Sequence, residues 1–398
     1  MHELGRLNTM TESIALRYGI NPHQTPASAS AIAEWPFEVL NGQPGYINLL
    51  DAMSAWNLVQ ELRQTLEQPS AASYKHVSPA GAAIGLPLSD RLARSYEVEK
   101  LELSPVAAAY VRARGGDLVS AYGDFAAASD VVDESLARFL RREVSDGIIA
   151  PGYEPSALDI LSKKKGGRYL ILQGDPEVSA PEVESRDHFG IRMDQPLDRK
   201  TIDQSAFDNP VTDLKEFPED VQRDLLLATV ALRYTQSNSV CVAADGQVIG
   251  LGAGQQSRIH CSRLACGKAD RWMLQQHDQV LGLEFDSALK RPDRFAAREQ
   301  YIAWNELSQP ERDRLQSQVT NWTGPLDEQD RQAWIGQFRN VLSHDAFMPF
   351  RDNVDRAQAS AVTHMLQPGG SIADADTTDA CNQYGIVMAL TGQRLFRH

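Results

Sequence analysis

Lys75 and His76, adjacent in the chain, and Asn238, far beyond them, are the polar groups best suited to chemistry in this sequence. With Asp146, Arg258 and Asp352 they stand on or beside glycine-containing loops. Such a set suits proton transfer and stabilisation of a developing oxyanion on an organic substrate. An imidazole is a usable base near neutral pH, and a lysine or amide N–H can donate to an oxygen that gains charge. By residue type alone the set names no substrate, and on spacing alone Lys75 with His76 reads more readily as an exposed lysine beside a structural histidine. Other chemistries lack their patterns. His260, Cys261 and Cys266 do not have metal-ligand spacing, no Gly-x-Ser-x-Gly elbow occurs, and Gly267-Lys268 is followed by Ala269 where a P-loop needs Ser or Thr.

The elements that must position these groups can be read around them. Lys75 and His76 close a short apolar strand, on which neighbouring side chains point to opposite faces. They share a site only where the strand breaks, and Pro79 and Gly81 are expected to break it. Asn238 belongs to the stretch Tyr234–Leu264, in which Val240, Val242, Val248 and Ile249 flank Asp245-Gly246, the signature of a tight hairpin. Gly250, Gly252 and Gly254 lead to Ser257, a candidate N-cap, after which Cys261, Leu264, Ala265, Trp272 and Met273 recur at helical steps. A glycine-rich turn feeding a helix with Arg258 in its first turn suits an anion. It equally suits a tight strand-to-helix turn with an arginine at the surface. A dinucleotide fingerprint fits poorly, because Gln255 stands where its last glycine is required.

Elsewhere, Leu16–Gln24 is a loop carrying Arg17, Tyr18 and His23, since Gly19 and Asn21-Pro22 oppose helix. The spacing of Leu49, Met53, Trp56, Val59, Leu62 and Leu66 predicts an amphipathic helix whose stripe is core. Residues 88–103 and 133–142 read as helices, and the glycine-rich segment between them as a loop bearing Tyr122 and Gly123. A buried strand follows Glu143. Lys163-Lys164-Lys165-Gly166-Gly167 reads as a solvated basic turn, and residues 174–215 as a polar connection between lobes. Residues 218–234 are expected to be helical and residues 283–340 to form an all-helical insert. Asp345–Asn353 mixes apolar, charged and amide side chains as a pocket wall does, and Ile386–Leu390 reads as a closing strand. Strands alternate with helices, so the class is α/β, with no fixed-period repeat.

The 398 residues are enough for two or three domains, and 42% apolar with 23% charged residues is an ordinary globular composition. No apolar run reaches the ~20 residues of a membrane span, and Met1–Thr11 has no secretory pattern. Four scattered cysteines read as reduced residues of a cytoplasmic protein. A formal charge of −14 disfavours nucleic acid as a partner and requires that any anionic ligand find a locally basic pocket.

Taken together, Leu16–Gln24, Lys75–Gly81, Ser145–Tyr153, Tyr234–Leu264, Asp345–Arg356 and Arg394-Leu395-Phe396 resemble, in order, the transformylase half of the bifunctional purine-biosynthesis protein, AICAR transformylase. That family transfers a formyl group from 10-formyltetrahydrofolate to the amine of AICAR. The resemblance implies two cytidine-deaminase-like α/β lobes without zinc, residues 1–200 and 201–398, with the helical insert in the second. It implies a homodimer with active sites at the subunit interface and no required metal. His76 would be the proton acceptor, with Lys75 and Asn238 stabilising the transition state. Arg17, Tyr18, Gly123, Asp146, Asn238, Arg258, Phe347, Arg394 and Phe396 match AICAR-contacting positions. Ile259, Asp352, Ser371 and Ile372 match folate-contacting positions, with Val119, Tyr122, Pro349 and Asn353 lining the pocket. Only about fifteen residues precede the first matching motif. Ring closure to IMP is therefore expected from a separate cyclohydrolase. A module that binds AICAR and folate without catalysis is the alternative, and the joint presence of Lys75, His76 and Asn238 argues against it.

Overall fold

The computed structural model describes residues 13–178 and 180–398, in which eleven strands form one mixed sheet. From one edge they run Val387–Leu390, Val362–Gln367, Asn340–His344, Val240–Ala244, Gln247–Gly252, Ser78–Ile84, Ser70–Lys75, Asp124–Ala128, Ser145–Ala150, Leu170–Gly174 and Phe37–Asn41. Strand residues alternate between two apolar clusters, one on each face. Ala126, Val240 and Val242 join one cluster, and Phe125, Ala127, Cys241 and Ala243 the other. Helices Tyr46–Leu66 and Glu219–Arg233 cover the second face, and Pro105–Gly115 and Arg258–Leu274 the first. All four cysteines are buried and unpaired, and burial raises their thiols well above the usual range.

Each half of the sheet is built from the same unit. A helix leads into an antiparallel hairpin, a second helix returns, and a third strand pairs antiparallel with the first hairpin strand. Two further strands then add in parallel. The parallel pairs need crossovers, supplied by Glu134–Arg142 and Pro155–Ser162 in one half and by Asp352–Gln358 and Asp374–Tyr384 in the other. The halves meet hairpin to hairpin, antiparallel, at Ala83 and Gln247. Gly81 and Gly250 are each the fourth residue of the second hairpin strand. A Cβ on either would sit 2.1 Å from a helix carbonyl, that of Ala113 or Ala265. These glycines let strand and helix meet closely. The repeat has no fixed period because helices Arg291–Ile302, Gln309–Gln318 and Glu328–Ile335 interrupt the second half.

Three expectations are corrected. Residues 88–103 hold only the helix Asp90–Ser95, which stops before Glu97 in left-handed backbone (φ 53). Helix Pro105–Gly115 was not foreseen, because Val106 to Gly115 are all buried and show no polar face to set a period. The polar segment after Gly174 contains an exposed two-stranded ribbon, Val183–His188 with Ile191–Pro196.

The antiparallel meeting of the hairpins has a consequence for the site. One end of the sheet carries the Lys75–Ser78 turn and the amino ends of the Asp124 and Ser145 strands. It also carries the carboxyl ends of the Asn340, Val362 and Val387 strands.

Candidate functional site

The strand ending in Lys75 breaks at His76 and Val77, not at Pro79 and Gly81, which lie inside the following strand. His76 (φ 54) and Val77 (φ 60) both adopt left-handed backbone, as the two central residues of a tight hairpin must. For a β-branched residue this is a true outlier, and such residues cost on the order of 1–3 kcal/mol each. A carboxylate beneath holds the turn. The Val77 N–H donates to Asp51 Oδ1 at 2.6 Å, from helix Tyr46–Leu66. Asp51 is 6% exposed, and burial pushes its carboxyl up to about 6, against the pull of the Val77 amide and the His76 charge. The turn leaves His76 exposed and Lys75 half-buried, with Lys75 Nζ donating to the Tyr122 carbonyl at 2.7 Å.

Lys75 and His76 border a cavity of about 690 Å³, which also gathers Arg17, Tyr18, Gly123 and Asp146. Sequence reasoning missed three further charged lining residues, Asp51, Lys165 and Arg168. The basic turn is therefore divided. Lys163 pairs with Asp159 at the surface, whereas Lys165 faces the cavity and pairs with Asp146 at 2.6 Å. Arg17, Lys75, Lys165 and Arg168 outnumber the carboxylates Asp51 and Asp146, so the cavity is locally basic in a chain of charge −14. Arg17 donates to Asn48 Oδ1 at 2.6 Å, at the amino end of helix Tyr46–Leu66, where the helix dipole also favours an anion.

The loop carrying Val119, Tyr122 and Gly123 is fixed by a buried ion network. Arg114 pairs with Asp124 at 2.8 Å and Glu143 at 3.2 Å, and donates to the Ala121 carbonyl at 2.6 Å. Asp124, fully buried, also accepts from Ser73 Oγ and the Tyr110 hydroxyl. Glu143 also pairs with Arg142 and Arg291, so neither buried carboxylate is left without a cation, as burial requires. Gly123 (φ 79) donates to the Val144 carbonyl and closes the loop beside the cavity.

A second cluster occupies the same end of the sheet in the other half. Arg258, 7% exposed, donates to Asn238 Oδ1 at 2.8 Å and to the Ser239 carbonyl at 3.1 Å, and forms an ion pair with Asp345. Asn238 Nδ2 donates to the Gln255 carbonyl at 2.7 Å. The helix-start arginine is thus engaged internally, a role for Asp345 that spacing did not reveal. Around this cluster Phe347 and Phe396 are each 44% exposed, with the Arg394 guanidinium 4.6 Å above the Phe396 ring. Asn353 is buried and accepts from Ser262 Oγ at 2.7 Å, and Asp352 opens the helix Asp352–Gln358 after Pro349. Ile259 is half-buried, Ile372 fully exposed, and the Ser371 N–H donates to Asp374. Val119 and Tyr122 are exposed on the first half, Val119 beside a smaller cavity of about 150 Å³ that includes Lys268 and Trp272.

The two clusters are not brought together within one chain. Two strands, Ser78–Ile84 and Gln247–Gly252, separate the Lys75 strand from the strand that follows Asn238. At ~4.8 Å per strand, the lateral separation is roughly 14 Å.

A family model described as the AICARFT/IMPCHase bienzyme matches residues 3–268. The bifunctional purine biosynthesis protein PurH of Xylella fastidiosa (strain 9a5c) is 30% identical over 399 residues, covering 98% of this chain and 59% of that protein. The protein of the same name from Synechococcus sp. (strain CC9311) is 30% identical over 391 residues, covering 96% of this chain and 58% of that protein. The chain thus spans well under two thirds of the length of the relatives it matches. On these grounds it belongs to the AICARFT/IMPCHase bienzyme family.

Proposed function

We propose that this chain acts in purine biosynthesis, in the cytoplasm, as the formyl-transferring part of the family. It would pass the formyl group of 10-formyltetrahydrofolate to the 5-amino group of AICAR, giving FAICAR and tetrahydrofolate. The observation that carries this reading is the pairing of Lys75 and His76 on one tight turn at the mouth of a basic cavity. The AICAR amine is a weak nucleophile, because its lone pair is delocalised toward the carboxamide. As it attacks the formyl carbon, a C–N bond forms, the amine nitrogen becomes acidic and the formyl oxygen gains negative charge. His76 takes the proton, and Lys75 or Asn238 donates to the oxyanion. Collapse breaks the bond to the folate nitrogen, which leaves with the proton that His76 had accepted. Arg17, with Lys165 and Arg168 beside it, suits the 5′-phosphate, and Arg394 is a further phosphate ligand by resemblance. Folate would lie against Ile259, Asp352, Ser371 and Ile372, with Val119, Tyr122, Pro349 and Asn353 lining its pocket.

The roughly 14 Å between the clusters favours a homodimer in which the Asn238 cluster of one copy faces the Lys75–His76 cavity of the other. The repeated hairpin unit supports reading the halves as two cytidine-deaminase-like lobes. A steady-state assay of AICAR with 10-formyltetrahydrofolate, run beside an IMP-formation assay, tests the reading. Formyl transfer by this chain is expected. Absence of formyl transfer at saturating substrates would overturn it.

A further inference from the structure

Within that reading, on which this inference rests, we propose that Asp51 is a positioning residue: its carboxylate holds the His76–Val77 turn in left-handed backbone and so fixes where the His76 imidazole stands. Three observations support it. Asp51 is buried on helix Tyr46–Leu66, and its one backbone donor is the N–H of the second turn residue, at 2.6 Å. Histidine tolerates positive φ, but the β-branched Val77 does not adopt it readily, so the turn needs an outside restraint at its second residue. The other half of the molecule uses the same restraint. Asp224, buried on helix Glu219–Arg233, accepts from the N–H of Gly246, the second residue of its hairpin turn, at 2.8 Å. Where glycine fills that position the backbone can adopt φ 71 without help, and where valine fills it the carboxylate is needed.

The test is steady-state formyl transfer by Asp51→Ala, Asp51→Asn and the double variant Asp51→Ala with Val77→Gly, with thermal unfolding as a check on folding. Asp51→Ala is expected to lose about 10–100-fold in kcat while KM for AICAR moves less than about threefold, since a displaced base impairs the chemical step more than binding. Asp51→Asn keeps an acceptor for the Val77 N–H and is expected to stay within about fivefold of the original kcat. Adding Val77→Gly to Asp51→Ala removes the steric bar to positive φ and is expected to restore most of kcat. A fully active Asp51→Ala overturns the proposal. So does an Asp51→Asn as impaired as the alanine variant, or a double variant that is not rescued, because either would assign the effect to charge or to global stability. A crystal structure of Asp51→Ala supplies a readout independent of turnover. His76 and Val77 are expected to leave the left-handed region, and a turn unchanged there overturns the proposal. An unmodified protein without formyl transfer would sink the functional reading alone and leave this crystallographic result to decide the role of Asp51.

Discussion

The two hairpin turns of this molecule share a scaffold and differ in what they present. In each half the sixth residue of the leading helix is a buried aspartate that accepts from the second turn residue, and a glycine four residues into the next strand admits a helix. In the second half the turn is Asp245-Gly246, the residue types that tolerate left-handed backbone. It is tied into the fold. Asp245 pairs with the buried Arg112 at 3.1 Å, and a Cβ on Gly246 would meet the Ile84 and Leu86 side chains at 2.8 Å. In the first half the same backbone carries His76-Val77 and opens on the basic cavity. One copy of the turn has residues chosen for stability. The other keeps an unfavourable backbone that presents an imidazole, which is where strain points to function.

The sharpest way to break this contrast is to disable each turn in its own terms. His76→Ala should lower kcat for formyl transfer by about 10²–10⁴-fold, the range for loss of a general base, with little change in unfolding. Asp245→Asn keeps a residue that tolerates positive φ and should leave kcat within about twofold, at a small cost from the lost Arg112 pair. Equal losses of activity from the two variants would erase the functional difference between the turns.

The two aspartates should also differ in pH response. Burial raises both, but Asp224 has Arg223 at 2.8 Å to oppose it, whereas Asp51, opposed chiefly by the Val77 amide, rises from 3.8 to about 6. A raised carboxyl favours the folded state while protonated. Its contribution is complete below about pH 4 and is lost as pH rises through about 6, and a shift of about two units corresponds to roughly 3 kcal/mol. Urea unfolding of the parent and of Asp51→Asn between pH 4 and 7 should therefore diverge, the parent losing relative stability as pH rises. Parallel curves would mean that Asp51 is not held in a desolvated site.

Much of this contrast was legible in the sequence, and the rest was hidden for definite reasons. Asp245-Gly246 announces its hairpin because glycine and aspartate are the residues that such a turn selects. His76-Val77 does not, since a β-branched valine is a rare occupant of this conformation, and Pro79 and Gly81 drew the break to themselves. Lys75, His76, Arg17, Tyr18, Gly123 and Asp146 were singled out and share one cavity. Asp51 was invisible because it lies off the apolar stripe of its helix, and its partner, 26 positions away, is a backbone amide that leaves no mark on residue type. Lys165 was concealed by its two lysine neighbours, only one of the three facing the cavity. Arg258 was legible as a helix-start arginine, yet its engagement with Asp345 joins strands distant in sequence.

The shared packing beneath the turns can be tested through its glycines. Gly81→Ala and Gly250→Ala each place a methyl 2.1 Å from a helix carbonyl, which the flanking backbone must relieve by shifting. Both should destabilise by about 1–3 kcal/mol in urea unfolding, and by similar amounts, because the contact is the same in each half. A variant that costs nothing in one half would show that the repeat is one of topology alone.

The smallest effect bears on the strain itself. Val77→Gly replaces a β-branched residue at φ 60 with one that adopts this backbone freely. The relief, on the order of 1–3 kcal/mol, is offset by the greater unfolded-state entropy of glycine, about 0.5–1 kcal/mol. The net expectation is a gain of about 1 kcal/mol in unfolding free energy, read from the urea midpoint at unchanged slope. In the second half Gly246→Val should move the other way and by more, since it adds both the strain and a clash with Ile84 and Leu86. If Val77→Gly instead destabilised the protein, the valine side chain would be contributing more through its contacts than the backbone costs, and the first turn would be a packed structural corner like the second.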